Sequence, residues 1–188
     1  MSKLSGIRVV DLSLFLPGPM MTSMLADHGA EIIKIEPPGG DPARQMEPFE
    51  EGQSVWFRNI NRGKQSVVLD LKQKDNLQKL YGLVEESDIF VEAFRPGVAN
   101  RLEIDYETLS AINPRIIYCS ISAFGQDGPL AHHPAHDLAV EAFAGFMSVN
   151  DKGDGEPVVP AFPAADASAS LVALSGILMA LIGQERTG

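Results

Sequence analysis

The chain has 188 residues, a length that suits one domain with a sizeable hydrophobic core. Hydrophobic residues make up 45% of it and charged residues 21%, as in an ordinary soluble globular protein. The formal net charge is −10, so the surface repels nucleic acid phosphates and anionic lipids, and neither is expected as a partner.

Short runs of β-branched residues alternate with helical patterns from residue 7 to residue 121. Strands are predicted over residues 7–12, 31–35, 66–71, 88–92 and 115–121. Helices are predicted over residues 17–27, 74–86 and 106–112, and residues 37–59, rich in Pro, Gly and acidic residues, are predicted to be a loop. Strands separated by helices favour a parallel sheet with helices on both faces, in which ligands bind at the carboxyl ends of the strands.

The pattern changes from residue 122 onwards. Residues 122–129 are rich in turn formers, residues 136–149 are typical of a helix, and residues 150–160 make an acidic connection that contains glycine. A long apolar helix is predicted over residues 166–184. Because little sequence follows this helix to cover it, we expect the chain to be cut from a longer protein or to pack against a partner.

The cellular compartment is predicted from three features of the sequence. Cys119 is the only cysteine, so no disulfide can form within the chain, and its apolar surroundings predict a buried strand residue and not a nucleophile. The N-terminal residues lack the apolar core of a signal peptide. The longest apolar stretch, residues 171–182, is shorter than a bilayer requires. A cytoplasmic protein without a membrane span is expected.

Two polar residues next to predicted helices are candidate functional groups. On residue pattern alone, Asp166 is typical of an N-cap, whose carboxylate accepts a backbone N–H and contributes about 1 kcal/mol. His136 is open to two interpretations, a helix-start histidine bonded to backbone or an acid/base group. His132 and His133 could form a metal site with His136 by spacing, but no cysteine or acidic ligand pattern accompanies them, so no metal is expected.

Several strings of the sequence resemble family III CoA-transferases (the CaiB/BaiF type) in their order and spacing. The strings are residues 4–12 (LSGIRVVDL), 17–19 (PGP), 25–36 (LADHGAEIIKIE), 66–72 (SVVLDLK), 92–97 (EAFRPG), 113–115 (NPR) and 124–129 (FGQDGP). The resemblance extends over nearly the whole chain. This family includes formyl-CoA transferase, carnitine CoA-transferase and α-methylacyl-CoA racemase.

The resemblance implies an α/β fold with a Rossmann-like parallel sheet and a role in handling acyl-CoA. Known members are longer and form interlocked homodimers. The 188 residues would be the N-terminal part of the large CoA-binding domain, and the small domain and the returning C-terminal segment would be absent. The resemblance therefore does not imply that this chain is active on its own.

The resemblance places the family's catalytic aspartate at Asp166. In a transferase this carboxylate attacks the acyl-CoA thioester, so an aspartyl anhydride and then an enzyme–CoA thioester form. A helix N-terminus would orient the carboxylate and offer N–H groups to developing negative charge. Asp166 could therefore serve as cap and nucleophile at one location.

His136 lies thirty residues before Asp166, a spacing that resembles the opposed acid/base pair of α-methylacyl-CoA racemases. Residues 62–64 (RGK) also look racemase-like, whereas residues 164–170 lack the glycine-rich run associated with racemases. Two acid/base groups flanking one carbon are what racemisation requires. CoA transfer is the favoured expectation, and 2-methylacyl-CoA epimerisation is the alternative. The third hypothesis is that the chain is a non-catalytic fragment or a subunit that needs another chain.

Four positions match CoA-binding positions of the resembling proteins. Leu69 and Lys72 match residues that border the CoA, Phe94 matches an adenine-stacking position, and Arg101 matches a phosphate-side position. An aromatic face suits a purine and a fixed cation suits a phosphate. The alternatives are core packing for Phe94 and an ordinary surface position for Arg101.

The sequence departs from the family pattern in three places. Residues 37–38 are prolines where formyl-CoA transferase carries an arginine, and Ala93 replaces an asparagine, so the adenine end is expected to bind differently. Leu16 stands where formyl-CoA transferase carries a glutamine that touches substrate. An apolar residue there argues against formate or oxalate as the substrate.

Overall fold

A computed structural model of the chain describes residues 2–150, 153 and 155–187. Its strands are β1 (Arg8–Asp11), β2 (Glu31–Glu36), β3 (Phe49–Glu50), β4 (Gln53–Ser54), β5 (Lys64–Val68), β6 (Ile89–Glu92) and β7 (Ile117–Ser120). Its α-helices are α1 (Pro17–Asp27), α2 (Val55–Ile60), α3 (Lys74–Glu85), α4 (Val98–Arg101), α5 (Tyr106–Ile112), α6 (Asp137–Phe143) and α7 (Ala164–Thr187). Two 3₁₀ helices, Pro42–Gln45 and Phe146–Asn150, complete the regular structure of the described residues.

Five strands form one parallel sheet in the order β5-β2-β1-β6-β7. This arrangement confirms the predicted α/β fold. β2 and β5 lie on one side of β1, and β6 and β7 lie on the other. The chain thus changes direction across the sheet beside β1, and the carboxyl end of such a switch point is where open α/β sheets bind ligands.

Helices cover both faces of the sheet, because side chains of successive strand residues point to opposite faces. On one face Val9 packs with Met21 and Leu25 of α1 and with Ile177 of α7. On the other face the neighbouring strand residue Val10 lies in a second cluster. That cluster also contains Leu77, Leu80 and Val84 of α3, Leu109 of α5 and Phe90 of β6. Two separate cores thus hold the sheet between two helix layers.

Residues 37–59 are more regular than the predicted loop. β3 and β4 form an antiparallel hairpin whose turn contains Glu51 and Gly52 at positive φ. Ser54 then caps α2, since its side chain accepts a hydrogen bond from the Phe57 N–H at 3.1 Å. Serine followed by three apolar or aromatic positions was the signal for this helix start.

Several predicted bounds are wrong. β5 begins two residues earlier than predicted, at Lys64, and ends three residues earlier, at Val68. The helix predicted over residues 136–149 stops at Phe143 because Gly145 adopts a φ of +77°, which ends the helical path. The connection predicted over residues 150–160 contains positions 151, 152 and 154, which lie outside the described residues.

α7 is longer than the apolar stretch read from the sequence. Within the described part of the chain it is the one helix whose length and composition would suffice to cross a bilayer, over Ala164–Arg186. A single helix of this kind is weak evidence for a membrane span. It packs against α1, α6 and β7, while apolar side chains on another part of its surface are exposed: Leu171, Val172, Met179 and Ile182.

Candidate active site

A cavity of about 710 Å³ lies beyond the carboxyl ends of the strands. The segments that follow β1, β6 and β7 form part of its wall, and the starts of α6 and α7 form the rest. Asp166 and His136, the two predicted catalytic residues, both line it. The fold therefore brings together side chains that are thirty residues apart in sequence.

Asp166 is not the N-cap that its sequence context suggested. α7 begins at Ala164, so Asp166 lies within the first helical turn. Its own N–H donates to Asp137 Oδ1 at 2.9 Å, and the Ala164 N–H donates to Glu141 Oε1 at 2.7 Å. Two N–H groups of this turn are thus bound to carboxylates of α6. The expectation that they are available to developing negative charge on a substrate is wrong for both.

The carboxyl group of Asp166 accepts no hydrogen bond from any described residue. Burial is the main reason that the pKa of Asp166 is raised from 3.8 to about 6, and the nearby carboxylate of Asp137 adds to it. His136 acts in the opposite direction, and Glu141 adds a further increase. The result is a half-buried carboxylate with unoccupied lone pairs and raised basicity, facing a cavity.

His136 occupies the N-cap position of α6, but its side chain makes no capping hydrogen bond. The imidazole ring instead meets the Phe15 ring edge to face, with 6.2 Å between ring centroids. The interpretation of His136 as a histidine bonded to backbone is therefore not what the structure shows. The ring lines the cavity that contains Asp166, as an acid/base group would.

Phe15 has a backbone conformation that is rare for an aromatic residue. Its φ is +61°, in the left-handed region that costs a side chain about 1 kcal/mol or more. Leu14 and Pro17, its neighbours in the segment between β1 and α1, also line the cavity, whereas Leu16 is buried with Ala43 and Ile60 instead. Leu16 therefore lies outside the wall to which the family comparison would assign it.

Buried ion pairs hold the segment between β1 and α1 in place. Lys34 Nζ donates to the Ser13 carbonyl at 2.8 Å and pairs with Asp41 at 2.9 Å. Asp11 accepts from the Ser13 N–H at 2.9 Å and pairs with Lys64 at 3.2 Å. All four charged side chains are almost fully buried, so the loop that carries Phe15 rests on a fixed polar base.

A second cavity, of about 170 Å³, adjoins the first. Leu69, Lys72 and Phe94, three of the four predicted CoA-binding residues, line it. Leu14 and Phe94 line both cavities, so the two spaces share a wall. A long ligand could therefore occupy both.

Arg101, the fourth predicted CoA-binding residue, is exposed at the end of α4 and does not line either cavity, although its neighbour Leu102 lines the second. The two prolines at positions 37–38 line the second cavity, and Ala93 lines the first. The two departures expected to affect the adenine end are thus located at the walls of the candidate site.

Four residues of this region were not predicted from the sequence: Phe15, Arg95, Asp137 and Glu141. Arg95 lines the large cavity and is exposed. The signal for Asp137 and Glu141 was their spacing of four on one helix, which places two carboxylates on the same face. The signal for Arg95 was its position directly after β6, at the ligand-binding edge of the sheet.

The remaining candidates contribute little to this site. His133 lines the large cavity, but among the described residues no group of three or more His, Cys, Asp or Glu side chains could hold a metal ion. Cys119 lies in β7, where burial is the main reason that the pKa of its thiol is raised to about 11. A thiol of that kind is a poor nucleophile at neutral pH.

Comparisons with known proteins identify the family of this chain. A sequence model of CoA-transferase family III matches residues 4–188. The acetyl-CoA:oxalate CoA-transferase of Acetobacter aceti is 45% identical over 185 residues, which are 97% of this chain and 48% of that protein. The succinyl-CoA:glutarate CoA-transferase of Mus musculus is 37% identical over 190 residues, which are 100% of this chain and 44% of that protein.

Solved structures give the same result for the fold. A CAIB/BAIF family protein from Brucella suis superposes with a TM-score of 0.95 at 36% identity, and the match covers 100% of this chain and 51% of that one. Rv3272 from Mycobacterium tuberculosis, in its orthorhombic form, superposes with a TM-score of 0.92 at 36% identity, covering 100% and 53%. The chain spans about half the length of the relatives it matches. It belongs to CoA-transferase family III.

Proposed function

We propose that this chain carries the nucleophile and part of the CoA site of an enzyme that transfers CoA between carboxylic acids. The proposal is carried by one observation: the half-buried Asp166 carboxylate, to which no described residue donates a hydrogen bond, lies in the cavity at the switch point of the sheet. The matching relatives named above are CoA-transferases, which supports transfer as the reaction.

The reaction proceeds in four exchanges at Asp166. A carboxylate oxygen of Asp166 attacks the thioester carbonyl of the donor, and CoA leaves as the thiolate, which gives a mixed anhydride. The thiolate attacks the aspartyl carbonyl, the donor acid leaves as its carboxylate, and an enzyme–CoA thioester remains. The acceptor carboxylate attacks that thioester and expels the thiolate again. The thiolate finally attacks the acceptor carbonyl, which releases the new acyl-CoA and restores the Asp166 carboxylate.

In this proposal the second cavity binds the nucleotide end of CoA. Phe94 offers an aromatic face to adenine, and Lys72 offers a cation to a phosphate. The shared wall at Leu14 and Phe94 lets the pantetheine arm pass into the large cavity towards Asp166. Arg101 is retained as a phosphate-side residue, since its exposed position at the end of α4 leaves it accessible to a ligand.

Epimerisation at the α-carbon of a 2-methylacyl-CoA is the second candidate function. One observation favours it: His136 and Asp166 line the same cavity, as an acid/base pair acting on one carbon must. Incubation of a 2-methylacyl-CoA in D₂O without an acceptor acid separates the two reactions. Label at the α-carbon would establish epimerisation, and its absence from an enzyme that exchanges CoA would exclude it.

The 188 residues represent, in this proposal, the N-terminal part of a large CoA-binding domain. The small domain and the returning segment come from further sequence or from another chain, and the assembled protein is a cytoplasmic homodimer without a metal, a nucleic acid partner or a membrane span. Sedimentation and CoA titration of the isolated chain test this arrangement. A stable monomer that binds CoA would contradict the need for another chain.

Replacement of the nucleophile tests the proposed reaction. Asp166→Asn keeps the shape of the side chain but removes the nucleophilic carboxylate, so transfer between acyl-CoA donors and free acids should fall at least about a thousandfold. The assay uses the complete protein in which these residues occur. Asp75→Asn, on the exposed surface of α3, is the matched control and should retain full activity. Exchange at the normal rate by Asp166→Asn would refute the proposal.

A further inference from the structure

Glu141 is a buried glutamate in the wall of the large cavity. It lies on α6, one turn after Asp137, and its side chain is only 3% exposed. Oε1 accepts the Ala164 N–H at 2.7 Å, while Oε2 has no hydrogen-bond partner among the described residues. No described cation forms a salt bridge with it. Burial of a carboxylate with one oxygen unsatisfied is costly, so a functional reason is called for.

The position of Asp166 makes this arrangement unusual. A carboxylate in the first turn of a helix is normally stabilised as the anion, because unpaired N–H groups and the helix dipole present positive charge there. At α7 the Ala164 N–H is bound to Glu141 and the Asp166 N–H is bound to Asp137. The two α6 carboxylates therefore offset the positive partial charge at the N-terminus of α7. As a result, the Asp166 anion is stabilised less there and stays more reactive.

We propose that Glu141 is a positioning residue that fixes the first turn of α7 and keeps the Asp166 carboxylate more nucleophilic than a first-turn aspartate would otherwise be. The hydrogen bond from the Ala164 N–H to Glu141 fixes the first turn of α7. The negative charge of Glu141, which lies beside the cavity in a medium of low dielectric, raises the basicity of the Asp166 carboxylate. This inference rests on the proposed role of Asp166 as nucleophile.

The other charged groups around the cavity do not replace this effect. His136, at the N-cap of α6, Arg95, directly after β6, and His133, before α6, line the cavity, and Asp137 accepts the Asp166 N–H from outside its wall. Of these groups His136 favours the Asp166 anion and so opposes Glu141. Burial is the largest cause of the raised pKa of Asp166, about 6, the Asp137 carboxylate is the next, and Glu141 adds a smaller increase.

Titration of Asp166 in a Glu141→Gln variant tests the inference. Glutamine keeps an acceptor for the Ala164 N–H but removes the charge. The complete protein is labelled with ¹³C at aspartate carboxyl carbons, and the Asp166 signal is assigned by its loss in Asp166→Asn. We expect the titration midpoint of Asp166 to fall by roughly half a pH unit in Glu141→Gln. Glu85→Gln, at the exposed end of α3, is the matched control and should leave the midpoint unchanged.

The pH profile of transfer gives a second measurement. Asp166 attacks as the anion, so the acidic limb of kcat/KM should move down with the midpoint, and the rate at pH 5 relative to the plateau should rise about threefold. If Glu141→Gln folds poorly, Glu141→Asp serves instead. Its side chain is one methylene shorter, so the charge lies further from Asp166 and the Asp166 midpoint should fall by less. An Asp166 midpoint that is unchanged or raised in the folded variant would overturn the inference. Full transfer activity in Asp166→Asn would instead overturn the proposed function, and the titration result would still stand.

Discussion

At the scale of single residues, the site is governed by where charge is placed relative to the first turn of α7. Asp166 has the sequence context of a helix cap, yet its side chain caps nothing and faces a cavity. The sequence could indicate Asp166 and His136 through the family resemblance alone. It could not indicate that carboxylates from α6 bind the N–H groups that a cap would have bound, since this depends on how two helices meet.

Asp166→Asn should stabilise the fold, and the gain should depend on pH. The pKa of Asp166 is raised from 3.8 to about 6, so ionisation opposes folding. At about pH 3 and below the folded and unfolded states are both largely protonated and the variant gains almost nothing. Between pH 4 and pH 6 the wild type loses stability, and above pH 6 the loss is complete. Allowing for partial exposure, the gain above pH 6 should be roughly 1 to 2 kcal/mol.

Urea unfolding of wild type and Asp166→Asn at about pH 3 and at about pH 7.5 measures this difference. Asp75→Asn on α3 serves as the control, because its carboxylate is exposed. An equal gain at both pH values would show that the effect comes from packing and not from ionisation.

At the scale of elements, hydrophobic periodicity was sufficient to predict the strands of the sheet, but it was insufficient to predict the structure of the segment between β2 and β5. All five strands of the sheet, and the helices α1, α3 and α5, were predicted close to their observed places, because each carries its apolar face in its own sequence. The hairpin and α2 were missed, since short polar segments are held by contacts from elsewhere in the chain. The buried pairs of Lys34 with Asp41 and of Lys64 with Asp11 could not be foreseen from local pattern.

The pair of Lys64 and Asp11 should be essential for stability. Both side chains are almost fully buried, and Lys64 Nζ also donates to the Pro19 carbonyl at 2.9 Å. Lys64→Met leaves Asp11 as a buried charge whose remaining cationic neighbour is Lys34. The free energy of unfolding should fall by about 3 kcal/mol.

Chemical denaturation measures the effect of Lys64→Met at neutral pH. Lys79→Met, on the exposed surface of α3, is the control and should change the free energy of unfolding by less than about 0.5 kcal/mol. A loss for Lys64→Met no larger than that of the control would show that the ion pair contributes nothing net.

At the scale of the whole molecule, the chain combines a net charge of −10 with an exposed apolar surface on α7. Val172 and Met179 are 72% and 67% exposed. Apolar surface of this kind is typical of an interface. The sequence predicted the apolar helix and a packing partner for its exposed face. Periodicity cannot indicate which segment or chain that partner is.

The 188-residue chain should therefore self-associate in spite of its negative charge. Combined Val172→Gln and Met179→Gln substitutions should shift the population towards monomer, because they remove apolar contact area without changing charge. Sedimentation velocity over a range of concentrations measures the shift. Phe49→Gln, at an exposed aromatic residue of β3, is the control. A wild-type chain that is monomeric at every concentration would contradict this prediction.

The wall shared by the two cavities has a kinetic consequence for the proposed reaction. Leu14 and Phe94 border both spaces, so one molecule of CoA can stay anchored by its nucleotide while its thiol end moves to and from Asp166. The donor and acceptor acids can then enter and leave through the large cavity while the same CoA molecule stays bound. Transfer should proceed without release of CoA, and isotopically labelled CoA added to the solution during turnover should not enter the product.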